Sequence, residues 1–150
     1  MGFNIVLIEP EIPTNTGNIG RLSLASGSSL HLVKPFGFEL NDKRLKRAGL
    51  DYWKHISINI YENIEDFYLR NKGADMVYFS SSATKNYTSI NFQDNMFFLF
   101  GKESVGLSKE IISNNIDKLY KIPIYTKYVR SLNLANAVSI VVYEAIRNLK

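Results

Sequence analysis

A chain of 150 residues is long enough for one domain with a substantial core, and its 45% hydrophobic and 13% aromatic content excludes a disordered chain. The formal net charge of +4 admits an acidic or nucleic-acid partner without requiring one. The complete lack of cysteine excludes disulfides, thiol catalysis and thiolate metal sites, and His31 and His55 are too widely spaced in sequence to suggest a metal centre.

The first apolar run, Phe3 to Glu9, suits a strand buried on both faces. No basic segment precedes it and it ends on an acid, so it does not read as a signal peptide, and Val6 breaks a myristoylation pattern. No apolar run approaches the roughly 20 residues of a membrane span, so a cytoplasmic location with no membrane contact is expected. Pro10 and Pro13 stop the strand, and residues 15–27 read as a loop entering a helix, with Asn15 or Thr16 as the cap and Gly27 as the exit. Ser29 to Lys34 predicts a second strand, Asp42 to Ala48 a short basic helix closed by Gly49, and Ile56 to Tyr61 a third strand. An amphipathic helix spans Asn63 to Asn71, and a strand Asp75 to Ser80 leads into a loop rich in Ser, Thr and Asn. Asn95 to Phe100 is the most apolar strand, followed by a helix over Ser108 to Asn114 and a strand stub from Lys121 to Ile124. The last helix, Leu132 to Leu149, sets Leu134, Val138, Val141, Val142, Ala145 and Leu149 on one face.

Strands alternating with helices predict a single α/β domain over 1–150, its mostly parallel sheet flanked by helices. Sites in such sheets lie beyond the carboxyl ends of strands, which directs attention to the loops after Glu9, Ser80, Phe100 and Ile124. The first, Asn15-Thr-Gly-Asn-Ile-Gly-Arg21, has the glycines of a dinucleotide turn but not the G-x-G-x-x-G spacing, which disfavours a dehydrogenase. Arg21 falls within an otherwise apolar helix, where a buried guanidinium needs a partner. In Phe100-Gly-Lys-Glu-Ser-Val-Gly-Leu107, Gly101 permits close approach to the backbone, Gly106 a left-handed turn, and Glu103 offers an acceptor to backbone or ligand. Lys43, Lys46 and Arg47 share one side of the basic helix, a phosphate-contacting surface or a solvated face. The stretch from Ile122 to Asn136 carries Lys127 and Arg130 and sits in a region without acids from Lys118 to Ser139.

Three motifs occur in order: Asn15-x-Gly-Asn-x-x-Arg21, Phe100-Gly-x-Glu-x-x-Gly-Leu107 and Arg130-Ser-Leu-Asn-Leu-x-Asn-Ala137. Together they resemble the SPOUT RNA methyltransferases. The flanks Glu9-Pro-Glu-Ile-Pro13 and Asp42-Lys-Arg-Leu-Lys-Arg-Ala-Gly-Leu-Asp-Tyr52 are similar to the tRNA (cytidine/uridine) wobble-position 2′-O-methyltransferases. The resemblance implies a C-terminal trefoil knot, rare among proteins, that holds S-adenosylmethionine. It also implies a tRNA substrate and a homodimer with composite active sites, for which the apolar faces of the first and last helices are the candidate interface.

Carried over by motif, Phe79, Gly101, Glu103, Ile122, Ser131 and Asn136 are the expected cofactor-binding residues. Asn18, Arg21, Lys43, Arg44, Lys46, Arg47 and Arg130 are the expected RNA-binding residues, and Arg21, Ser131 and Asn133 the catalytic group, with no metal. A general-base role for Arg21 conflicts with the high basicity of guanidinium, so a charged Arg21 gripping phosphate and the developing alkoxide is the preferred expectation. Tyr143 is a site residue or a core or interface tyrosine. Val105, Ala135 and the segment Tyr125 to Val129 depart from the family pattern. Two alternatives stay open: methylation at another tRNA or rRNA position, and a non-catalytic RNA-binding module on the same fold.

Overall fold

Alternate residues of the first strand divide between two cores, which places a sheet between two helical layers. In the computed structural model, which describes residues 2–150 apart from the side chains of residues 49–51, β1 spans Asn4–Ile8. Its Ile5 and Leu7 face one apolar cluster, with Ile19, Leu30, Phe98, Val138 and Val142. Val6 and Ile8 face the other, with Val33, Phe67, Tyr78, Leu99 and Leu107. This is the period-two alternation of a strand whose two faces are both covered, and it explains the unbroken apolar sequence.

The remaining strands are β2 (Ser29–Val33), β3 (Ile58–Tyr61), β4 (Met76–Phe79), β5 (Lys85–Asn86), β6 (Phe97–Phe100) and β7 (Leu119–Lys121). They form one sheet in the order β3-β2-β1-β6-β4-β7-β5. Every pairing between these strands is parallel. The helices are α1 (Pro13–Ala25), α2 (Lys43–Gly49), α3 (Ile64–Arg70), α4 (Lys109–Asn114) and α5 (Leu134–Leu149). The expected face of α5 is the one it buries, with Val138, Val141, Val142 and Ala145 fully inside.

Two local expectations are corrected. Neither Asn15 nor Thr16 caps α1: the helix starts at Pro13, with Ile12 at the cap position and no side-chain cap bond. Proline preset for the first helical position moves the start ahead of the first cap-type residue, and the buried Thr16 hydroxyl finds no partner among the described residues. The final strand is Leu119–Lys121, so of the stub expected at Lys121 to Ile124 only Lys121 is in the sheet and the rest is irregular chain. The basic α-helix ends at Gly49 as expected, and a 3-10 turn over Leu50–His55 follows it directly.

His31 is buried in β2, its Nδ1 2.8 Å from the Tyr61 hydroxyl and its Nε2 2.9 Å from Asn4 Oδ1. The Asn4 amide donates to the Asn95 carbonyl at 3.0 Å, so Oδ1 is an acceptor and Nε2 carries the proton. Burial, with a smaller repulsion from Arg70, pushes the His31 pKa down to about 4. The folded value lies below the unfolded one, so the stabilisation is complete above about pH 6.5 and is lost as pH falls toward 4. Urea unfolding should show a loss of about 3 kcal/mol between those values, and His31→Gln should remove most of that slope.

Candidate active site

A cavity of about 560 Å³ opens over the carboxyl ends of β4, β6 and β7. Its floor is aromatic: Phe79 and Phe100 end adjacent strands in register and stack with ring centroids 4.8 Å apart. One wall is the turn after β6, from Gly101 to Gly106, and the opposite wall comes from residues 122–124 and 130–134. Because the chain leaves the sheet after Lys121, the backbone of 122–124 is released from ladder pairing where it lines the cavity.

The turn is pinned by two reciprocal carboxylates. Glu103 accepts from the Glu11 N–H at 2.8 Å and the Ile12 N–H at 2.9 Å, beside the start of α1. In return Glu11 accepts from the Ser104 N–H at 2.8 Å, a bond that holds the Glu11 carboxyl below the usual carboxylate range. Glu103 thus takes the two backbone N–H groups that lead into α1, that of Ile12 at the cap position among them, and its negative charge sits at the positive end of the helix dipole. Asn15 donates to Glu103 at 3.2 Å and accepts from the Asn133 amide at 3.0 Å. Asn133 in turn caps α5 by accepting from the Asn136 N–H at 3.2 Å. One chain of bonds therefore ties the first motif to the second and the third.

Of the expected cofactor residues, Phe79, Gly101, Glu103, Ile122 and Ser131 line the cavity, while Asn136 is exposed on the first turn of α5 outside it. Asn133 and Arg130 also line it. Both ends of the Asn133 amide are engaged in holding helices, which makes it a positioning group within the chain. Asn15, Ser80, Ser81, Lys102 and Ala137 line the cavity too. The signal for Ser80 and Lys102 was their position just past a strand's carboxyl end; Asn15 was visible only as a motif residue.

Arg21 corrects an expectation. It is exposed, its guanidinium lying over the Tyr52 ring 5.4 Å from the centroid. Thr14, Asn18, Arg21 and Ala25 form an exposed stripe at helical spacing, and Arg21 stands six residues, about 9 Å, along α1 from Asn15. Neither Arg21 nor Asn18 lines the cavity of its own chain. On α2, Leu45 is buried and Lys43, Arg44, Lys46 and Arg47 are exposed. Arg44 is tied to Asp42 at 3.1 Å, an interaction that lowers the Asp42 pKa. Among the described residues no cluster of three or more His, Asp or Glu could hold a metal.

The fold is shared with RNA methyltransferases of known structure. A structure concerned with 2-OH methylation of C/U34 on tRNA superposes with a TM-score of 0.94 at 40% identity, covering 99% of this chain and 96% of the other. An AdoMet-bound rRNA methyltransferase from Sinorhizobium meliloti superposes with a TM-score of 0.87 at 28% identity, over 99% of this chain and 57% of its own. A Geobacillus stearothermophilus protein with the provisional name tRNA (cytidine(34)-2′-O)-methyltransferase is 45% identical, over 98% of this chain and 95% of that protein. The SpoU rRNA Methylase family model matches residues 2–143, and the chain belongs to that family.

Proposed function

We propose that this protein transfers a methyl group from S-adenosylmethionine to the ribose 2′-hydroxyl of the wobble nucleotide, C34 or U34, in the tRNA anticodon loop. The observation that carries the reading is the near end-to-end likeness to the C/U34 methylation structure, in a chain whose second and third motifs wall a single cavity. The residues present suit the cofactor. The stacked Phe79 and Phe100 give a flat apolar floor for a nucleobase, while the unpaired backbone of 122–124 offers polar groups at its edge. Bound there, the cofactor supplies an activated methyl group.

The chain's part is then positioning and charge stabilisation. Gly101, Ile122 and Ser131 hold the cofactor, and Glu103, Asn15 and Asn133 fix the walls around it. Arg130, at the cavity's edge, and the cations of α2 meet RNA phosphates. Arg21, kept as a cation over Tyr52, stabilises the oxyanion that develops on the ribose.

The displacement of Arg21 from its own chain's cavity supports a homodimer in which one protomer's Arg21 serves its partner's cavity. Leu24 on α1 and Ile140 and Tyr143 on α5 are exposed and suit such an interface. The C-terminal knot of the family is inferred with it, the segment from Ile122 to Asn136 being the threaded piece. No helix among the described residues is long and apolar enough to cross a membrane, and tRNA modification fits a cytoplasmic protein.

Titration calorimetry followed by labelled methyl transfer to bulk tRNA tests the reading. Binding of S-adenosylmethionine but not NAD, with transfer to tRNA, is expected. Binding without transfer to any RNA would favour the non-catalytic module instead.

A further inference from the structure

The turn from Tyr125 to Val129 has no role in the account above, yet it carries the two most exposed large apolar side chains among the described residues. Tyr125 is 93% and Tyr128 86% exposed. Scattered exposed aromatics are ordinary; two within four residues at the mouth of a cavity are not scattered. Ile124 and Arg130, which bracket the turn, both line that cavity. Tyr125 adjoins one and Tyr128 lies two residues from the other, within about 7 Å of extended chain.

The turn has a defined shape. The Tyr128 N–H donates to the Thr126 hydroxyl at 3.2 Å, and the Lys127 ammonium lies over the Tyr128 ring, 5.7 Å from its centroid. Neither tyrosine hydroxyl makes a hydrogen bond among the described residues. Cations alternate with the rings, Lys127 between them and Arg130 just after, in a stretch without an acid from Lys118 to Ser139.

Aromatic faces interleaved with cations match unpaired nucleotides, whose bases stack on rings while their phosphates pair with the charges. A second copy of this chain fits less well. It would bring its own net +4 against this basic turn, and the exposed Leu24 of α1 with Ile140 and Tyr143 of α5 already offers copies a better surface.

We propose that Tyr125 and Tyr128 form a stacking platform for the unpaired bases flanking the methylated nucleotide, with Lys127 and Arg130 on the intervening phosphates. This rests on the RNA substrate proposed above. The platform would hold the loop open beside the cavity and tolerate any base, because every base has a face to stack.

The test is binding of an anticodon stem-loop RNA by anisotropy without methyl donor, alongside tRNA kinetics, calorimetry with S-adenosylmethionine and light scattering. Each Tyr→Ala substitution should weaken RNA binding by about 5- to 150-fold, and Tyr→Phe should stay within about twofold. Cofactor affinity, kcat at saturating RNA and particle mass should not change. An abasic nucleotide next to the wobble position should weaken the parent protein but add little to the doubly substituted Tyr125→Ala, Tyr128→Ala variant. Alanine variants that bind RNA like the parent would overturn the platform, as would phenylalanine variants that lose as much as alanine. A halved particle mass would identify the turn as a contact between copies and overturn it as well. If the parent protein itself methylates no tRNA, the functional reading fails; if the parent methylates and the variants match it, only the platform fails.

Discussion

Gly101→Ala is expected to weaken S-adenosylmethionine binding by at least about 100-fold and to cost about 2–4 kcal/mol of stability, at the severe end for one substitution. A Cβ at this position would stand 2.1 Å from the Gly106 carbonyl carbon, 2.2 Å from the Leu107 nitrogen and 2.6 Å from the Gly106 oxygen. All three are backbone atoms, so no side chain can swing away. The obstacle is space: Gly101 sits where two arms of the turn cross, closed by the Gly106 N–H donating to the Lys102 carbonyl at 2.8 Å. Making room means opening that turn, which displaces the cavity wall and pulls Glu103 from the start of α1. Val105, in the same turn but with an exposed side chain, gives the contrast, and Val105→Ala should leave stability nearly unchanged. Calorimetry and urea unfolding measure the pair.

The second large effect concerns Arg21. Arg21→Ala should lower kcat by about 100- to 1,000-fold, the scale of losing one transition-state donor, while cofactor affinity stays at the parent value. Ala137→Trp, on the cavity-lining face of α5, should fill the cavity and abolish cofactor binding with Arg21 intact. Each variant alone should retain at most about a hundredth of the parent rate. Mixed in equal amounts and allowed to exchange subunits, they should regain about a quarter of the parent rate if the proposed homodimer forms, because half the dimers would be mixed and each would have one complete site. A site completed within one chain would regain nothing. Arg21→Lys keeps the charge but loses the planar donor fork, so near-full turnover with unchanged RNA affinity would remove any specific role for the guanidinium.

Much of this site was legible in the sequence because its parts are local. Unbroken apolar runs gave the buried parallel strands, and the rule that sites lie beyond strand carboxyl ends located three of the contributing loops before any contact was known. What stayed hidden depends on residues far apart in the chain. Glu103 reaches across more than ninety positions to hold the backbone N–H groups of Glu11 and Ile12, a link that no local pattern could show. The strand stub expected from Lys121 to Ile124 begins where the ladder ends, since the last ladder residue is Lys121. The two-residue β5 has no periodicity to read and exists through its pairing with β7. Arg21 misled for another reason. The apolar sequence of α1 suggested burial all round, but Leu24 and Ala25 share its exposed side. Helical periodicity cannot separate a face turned to the core from one turned outward.

The most direct measurement is nucleotide-resolved mapping of ribose methylation in tRNA after incubation with the purified protein and S-adenosylmethionine. The account predicts one new 2′-O-methyl group, at C34 or U34, lost with Arg21→Ala. Methylation on a base, or on a ribose elsewhere in the tRNA with position 34 untouched, would contradict it.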